Sequence, residues 1–136
     1  MNYVDTFIVT AEDCPTDTSV VPPPKGDKKT VAVIQYEMLA GHPYKYTQED
    51  VLFETFVRHK GIPAKELKAH GKEMREEFFA KDQPCLRTSP LARTYGWGFH
   101  FDTKGKVALY PKGSKEYEKL SKESTKVLKA LRSGRK

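Results

Sequence analysis

Residues 95–111 read YGWGFHFDTKGKVALYP, and no other stretch restricts the fold of this chain so tightly. Thr103, Lys104 and Gly105 separate two runs rich in aromatic and aliphatic residues. That pattern predicts a three-residue hairpin loop, with Gly105 supplying the left-handed residue of a bulge. A loop of this length sets the pairing: Asp102 faces Lys106, Phe101 faces Val107, Phe99 faces Leu109 and Trp97 faces Pro111. One face of the ribbon is then apolar throughout. The other carries Gly98, His100, Asp102, Lys106, Ala108 and Tyr110, and Gly98 leaves room beside the Tyr110 ring. A sheet that stacks nucleotide bases presents its aromatics to solvent among basic residues. Here Trp97, Phe99 and Phe101 meet aliphatic partners instead, so the three rings are expected in a core, and any working groups are expected on the His100 face.

The rest of the chain supplies elements to pack against that hairpin. YVDTFIVT is apolar on both alternating faces, which predicts an interior strand over residues 3–10. A loop rich in Pro, Asp and Thr follows over residues 11–29 and includes Pro22, Pro23 and Pro24, which favour an extended conformation. The β-branched run TVAVIQYEML predicts a second strand over residues 30–37. Thr47 is a suitable helix N-cap, with Glu49 and Asp50 in the first turn, a broad apolar face of Val51, Leu52, Phe53, Phe56 and Val57, and Gly61 as the stop. A further helix is predicted from Pro63 to about Lys81, with Leu67, Met74 and Phe78 on one side and a mixed-charge, solvated opposite side.

Ser89-Pro90 has the pattern of a short helix start. Ser114 caps a last predicted helix carrying Tyr117, Leu120, Val127 or Leu128, and Leu131; Ser121, Ser124 and Thr125 weaken its middle, so one long helix or two short ones both fit. The expected architecture is α+β: one mainly antiparallel sheet of about four strands packed against two to four helices. Residues 1–132 are expected to form one domain, with residues 133–136 a frayed basic tail.

At 136 residues, with 38% hydrophobic and 31% charged residues, the chain has the length and composition to bury a core without disulfide or metal staples. No apolar run approaches the roughly 20 residues that cross a bilayer, and the N-terminus lacks a basic head followed by an apolar stretch. Two well-separated cysteines, Cys14 and Cys85, are expected as free thiols, so the expected address is cytoplasmic. The net charge of +6 is lopsided. Residues 103–136 hold 11 Lys or Arg against 3 Glu, a balance of +8, which leaves the remainder of the chain at −2.

Three kinds of chemistry are open to these residues. Cys85 lies between Lys81, Arg87 and Arg93, charges that favour a thiolate, and His100 is its natural partner base; these are the candidates for a thiol-dependent enzyme, with Arg87 or Arg93 clamping an anion. Cys14 is flanked by Glu12 and Asp13, which disfavour a thiolate. A ligand groove is the second option, formed by the proline-rich loop, the Cys85–Arg93 segment and the polar hairpin face, with His42, Tyr44, Arg87, Arg93, His100 and Tyr110 as binding candidates. The third is electrostatic binding of nucleic acid or phosphate through Lys119, Lys122, Lys126, Lys129 and Arg132 of the last helix, though Glu116, Glu118 and Glu123 interrupt the charge.

PPPKGDKK lacks a phosphate-cradling pattern, so Lys25, Lys28 and Lys29 would act only as point charges. The four histidines show no ligand spacing, so neither a metal nor another cofactor is expected. The segments DTFI, AEDCP, VPPPKG, KTVAVIQYEML, YTQEDVLFE, QPCLR, SPLA and YGWGFHFD together resemble a family of small bacterial proteins, a domain of unknown function. The resemblance spans nearly the whole chain and implies a cytosolic single-domain protein, without a reaction or a ligand.

The reading that best unites these features is a binding or interaction module with a small-molecule or protein ligand. It is expected to be a monomer or small homo-oligomer with no membrane partner.

Overall fold

A computed structural model of the chain describes residues 2–23 and 29–132. Lys25 and Lys28, Pro24 of the proline run, and the basic tail 133–136 lie outside the described residues. The elements follow the order β1 (Thr6–Val9), α1 (Val31–Ala40), β2 (Tyr46–Thr47), α2 (Gln48–Lys60), α3 (Ala64–Ala80), a single 3-10 turn (Leu86–Thr88), α4 (Pro90–Arg93), β3 (Trp97–Phe101), β4 (Lys106–Pro111), α5 (Lys115–Glu123) and β5 (Lys126–Lys129). The strands form one sheet in the order β2-β4-β3-β1-β5. Every pairing is antiparallel except that of β1 with β5.

The hairpin has the register its loop demands. Trp97 pairs with Pro111, Phe99 with Leu109 and Phe101 with Val107, and Gly105 takes φ 80° at the turn. Asp102 ties the loop down, its carboxylate accepting from the backbone N–H of Lys104 and of Lys106, each at 2.9 Å. Because successive side chains alternate, Phe99 and Phe101 fall on the face that α1, α2 and α4 cover, and both are fully buried with Ile8, Leu39, Val51 and Leu91. Trp97, on the same face, is half-buried: its ring packs 5.3 Å from that of Tyr36, and its indole N–H donates to the Val20 carbonyl.

Residues 30–37 are helical rather than extended. Thr30 caps α1 by accepting from the Val33 N–H, and Ala32, Val33, Ile34, Gln35, Met38 and Leu39 are all buried. A run apolar on nearly every side carries no period that separates a strand from a buried helix, and here burial against the sheet overrides the β-branched preference. The C-terminal segment also departs from expectation. α5 stops at Ser124, and residues 126–129 turn back as an edge strand along β1, pairing Thr6 with Lys126 and Ile8 with Leu128. Lys126, Lys129 and Arg132 therefore do not share a helix with Lys119 and Lys122.

α2 starts with a capping box, Thr47 accepting from the Asp50 N–H while the Asp50 carboxylate accepts from the Thr47 N–H, and Gly61 ends it at φ 69°. α3 has no fully buried residue. It rests on α2 through Phe78, whose ring lies 4.9 Å from Phe56 and 5.7 Å from Phe53, and through an Arg75–Asp50 ion pair at 3.0 Å. α5 crosses the opposite face of the sheet from α1 and α2. There Tyr117 lies edge-on to Phe7, and its hydroxyl accepts from the Thr10 N–H at 2.9 Å.

Candidate functional site

His100 lies on β3 between Phe99 and Phe101, so it points to the α5 side of the sheet. Tyr110 stands two pairs along on β4, on the same face. Tyr44 comes from the turn between α1 and β2. His42 and Pro43 break the helix there, His42 bonding back to the Met38 carbonyl at 3.1 Å, and Tyr44 takes a left-handed φ of 59° while its N–H donates to the Val107 carbonyl. That strained conformation brings the Tyr44 ring over the sheet edge. Its hydroxyl lies 2.9 Å from His100 Nδ1 and 2.7 Å from the Tyr110 hydroxyl.

The chemistry of this chain follows from proton counting. Tyr44 has one hydroxyl proton for two neighbours, so if it donates to His100 Nδ1 it accepts from Tyr110, and His100 carries its own proton on Nε2. If His100 Nδ1 carries the proton instead, it donates to Tyr44, the Tyr44 hydroxyl is free to donate to Tyr110, and Nε2 becomes an acceptor. The tautomer of the imidazole is thus tied to the orientation of two phenols. Burial lowers the His100 pKa below its ordinary value, against the raising influence of Asp102 and then Asp5. Burial, followed by the bond to Tyr110, raises that of Tyr44 above the usual phenol range. His100 and Tyr44 are therefore neutral near pH 7, and His100 is able to donate or accept.

His100 also borders a cavity of about 210 Å³ lined by Asp5, Lys119, Leu120, Glu123, Ser124 and Thr125. The Ser124 hydroxyl oxygen is buried there with no hydrogen-bond partner among the described residues. Asp5, like Tyr44, has a left-handed φ, of 48°. The two non-glycine residues with this backbone among the described residues thus flank the same histidine from either side, Asp5 at the cavity and Tyr44 on the ring.

The other expected site residues are placed elsewhere. Cys85 reaches the sheet on its helical face: the Tyr3 hydroxyl donates to Cys85 Sγ at 3.3 Å, and the Tyr3 ring packs on Phe101 at 5.4 Å. Burial, the bond to Cys85 and its charge push the Tyr3 pKa up to about 12, with Arg87 opposing. His100 occupies the other face, so the sheet separates the thiol from the imidazole and a Cys85–His100 pair does not form. Arg87 and Arg93 are occupied structurally. Arg87 Nε donates to the Lys129 carbonyl at 2.7 Å and Arg93 to the Arg132 carbonyl, so each guanidinium caps the strand that ends the sheet. His42 caps α1 and is not part of the Tyr44–His100–Tyr110 chain.

The proline-rich loop is drawn to the far end of the hairpin, where the Val20 N–H donates to Tyr95 and Lys112 Nζ donates to Thr16. The single groove expected from loop, Cys85 segment and hairpin face is therefore divided over separate surfaces. Among the basic candidates Lys119 lines the His100 cavity, and Lys122, Lys126, Lys129 and Arg132 are exposed, with Lys129 3.7 Å from Glu12. Among the described residues no three His, Cys, Asp or Glu side chains gather as metal ligands, and no helix is long and apolar enough to cross a membrane.

Sequence reasoning missed Asp5 and Ser124, which come from a strand entrance and a helix end. A polar residue in an aromatic strand entrance and a serine after an amphipathic helix carry too weak a local signal to mark a site.

Fold and site together define a small α+β protein with a polar, hydrogen-bonded cluster on the face of its sheet away from the main core. Residues 1–136 match a family of unknown function, DUF6157, and the chain belongs to that family. No curated protein and no solved structure matches it.

Proposed function

We propose that the protein is a cytoplasmic, single-domain binding module for a small polar molecule, held at the His100 cavity. The observation that carries this reading is the Tyr44 hydroxyl bonded to both His100 and Tyr110. Three groups able to reverse their hydrogen bonds together let one surface meet either a donor or an acceptor on a ligand, while Lys119, Asp5 and Glu123 supply fixed charge of both signs at the rim. The strained backbone at Asp5 and Tyr44 supports the same reading, because such conformations cost on the order of 1–3 kcal/mol each and cluster where a ligand is held. Two free, half-buried thiols accord with a reducing compartment.

The test is a titration of isotope-labelled protein with pools of small polar metabolites, following the His100 ring protons and the Ser124 amide. Saturable shifts centred on these residues, and lost in Tyr44→Phe, are the expected result. Shifts confined to residues 83–93, or none at all across acidic, basic and neutral pools, would refute the reading.

A further inference from the structure

On the helical side of the sheet, α1, α2, α3 and the segment before α4 line a second, partly open cavity of about 230 Å³, with Leu52, Phe56, Phe78 and Leu86 on its apolar walls. We propose that it binds a compact apolar molecule carrying a single hydroxyl group, independently of the His100 site. A cavity of roughly 150 Å³ lined by aliphatic and aromatic groups accepts a benzene-sized ring. This one has space for such a ring and a substituent.

Of the polar side chains in its wall, Thr55 and Gln35 set the head group. Thr55 is 6% exposed, and its hydroxyl oxygen is buried without a hydrogen-bond partner among the described residues. A threonine inside a helix ordinarily donates back to the carbonyl one turn earlier, and Thr55 does not. Gln35 is 3% exposed, and its amide oxygen accepts from Ser89 Oγ at 2.5 Å. Gln35 lines the same wall, where its amide N–H₂ is a donor. A buried polar group without a partner costs about 1–3 kcal/mol. A ligand oxygen that accepts from the Gln35 amide and donates to Thr55 gives the Thr55 hydroxyl the partner it lacks, and a hydroxyl does so without bringing a charge into the cavity. Cys85 borders the cavity as well, so its accessibility reports on occupancy.

Phenol, and toluene as its counterpart without the hydroxyl, distinguish this site from mere apolar space. Methyl-labelled protein titrated with phenol should show saturable shifts at Leu52, Leu86 and Thr55, and alkylation of Cys85 should slow in step while that of Cys14 does not. Phenol should bind at least fivefold more tightly than toluene, and Thr55→Val, which keeps the side-chain shape, should weaken phenol about fivefold and leave toluene unchanged.

Absence of saturable shifts at these methyls, or phenol shifts centred on His100 and Leu120, would overturn the proposal. So would equal affinities for phenol and toluene in the unsubstituted protein, a comparison that stands even where the variant fails to fold. Failure here leaves the His100 reading intact, because the two cavities lie on opposite faces of the sheet.

Discussion

Tyr44 and His100, 56 residues apart in the chain, meet through a 2.9 Å hydrogen bond across the edge of the sheet. The bond exists because a left-handed residue in a helix-ending turn places a phenol above the imidazole of a strand two positions into the sheet. Burial of that imidazole makes its protonation costly, and this has a measurable consequence for stability.

The folded-state pKa of His100 is lowered, chiefly by burial. Between the ordinary value of about 6.5 and the lower folded value, the unfolded chain binds a proton that the native protein does not. The contribution of this group is therefore fully present above about pH 6.5 and is lost as pH falls through the folded pKa. Urea midpoints should fall as the pH is lowered from about 7 to about 5.5, and His100→Gln should flatten that dependence. Equal slopes in the two proteins would show that His100 is not the group responsible.

Gly98 is required by close packing. A Cβ at this position would lie 2.8 Å from Phe7 Cζ and 2.9 Å from Tyr117 Cε2. Neither ring yields easily, since Phe7 is fully buried and Tyr117 is held by the Thr10 N–H. Gly98→Ala should lower unfolding free energy by about 1–3 kcal/mol, the usual cost of overfilling a packed core. A denaturation midpoint equal to that of the unsubstituted protein would mean that α5 moves aside freely.

Arg87 holds the end of the edge strand, donating to the Lys129 carbonyl from its guanidinium while its own carbonyl accepts from the Leu131 N–H at 2.8 Å. Arg87→Ala removes the first bond and keeps the second. Amide exchange over residues 128–131 should quicken by roughly two- to fivefold, the worth of about 0.5–1 kcal/mol of local hydrogen bonding, with the hairpin unaffected. If exchange is unchanged there and binding of anions is lost instead, Arg87 serves a ligand and not the strand.

Much of the architecture was legible wherever local chemistry and tertiary packing agree. Thr47, Asp50 and Gly61 bound α2, Ser114 caps α5, and the DTKG loop sets the hairpin register down to each facing pair. These signals depend on a few neighbouring residues and survive in any context. The hairpin alternation also put His100 and Tyr110 on one face. It did not place Trp97 as deeply as Phe99 and Phe101, because Trp97 sits at the strand entrance, where Tyr36 and Val20 cover only part of the indole.

The misread segments, residues 30–37 and 126–129, are those in which burial and pairing outweigh local preference. A β-branched run becomes a helix when nearly every side of it is covered. A KVLK run becomes a strand because β1 offers a free edge beside it. Arg87, Arg93 and Cys85 looked like a reactive group in the linear chain, where adjacency is all that is visible. In three dimensions two of them cap carbonyls, and the sheet stands between the third and its expected base.

The order of residues alone determined where this chain turns, where four of its helices begin, and which rings of the hairpin share a face, since those depend on torsions and spacing within a few positions. Which distant groups meet was decided only by the folded packing. No local preference records that Tyr44 would reach His100, or that Thr55 and Gln35 would share a cavity wall, because contacts between remote segments depend on how the layers close.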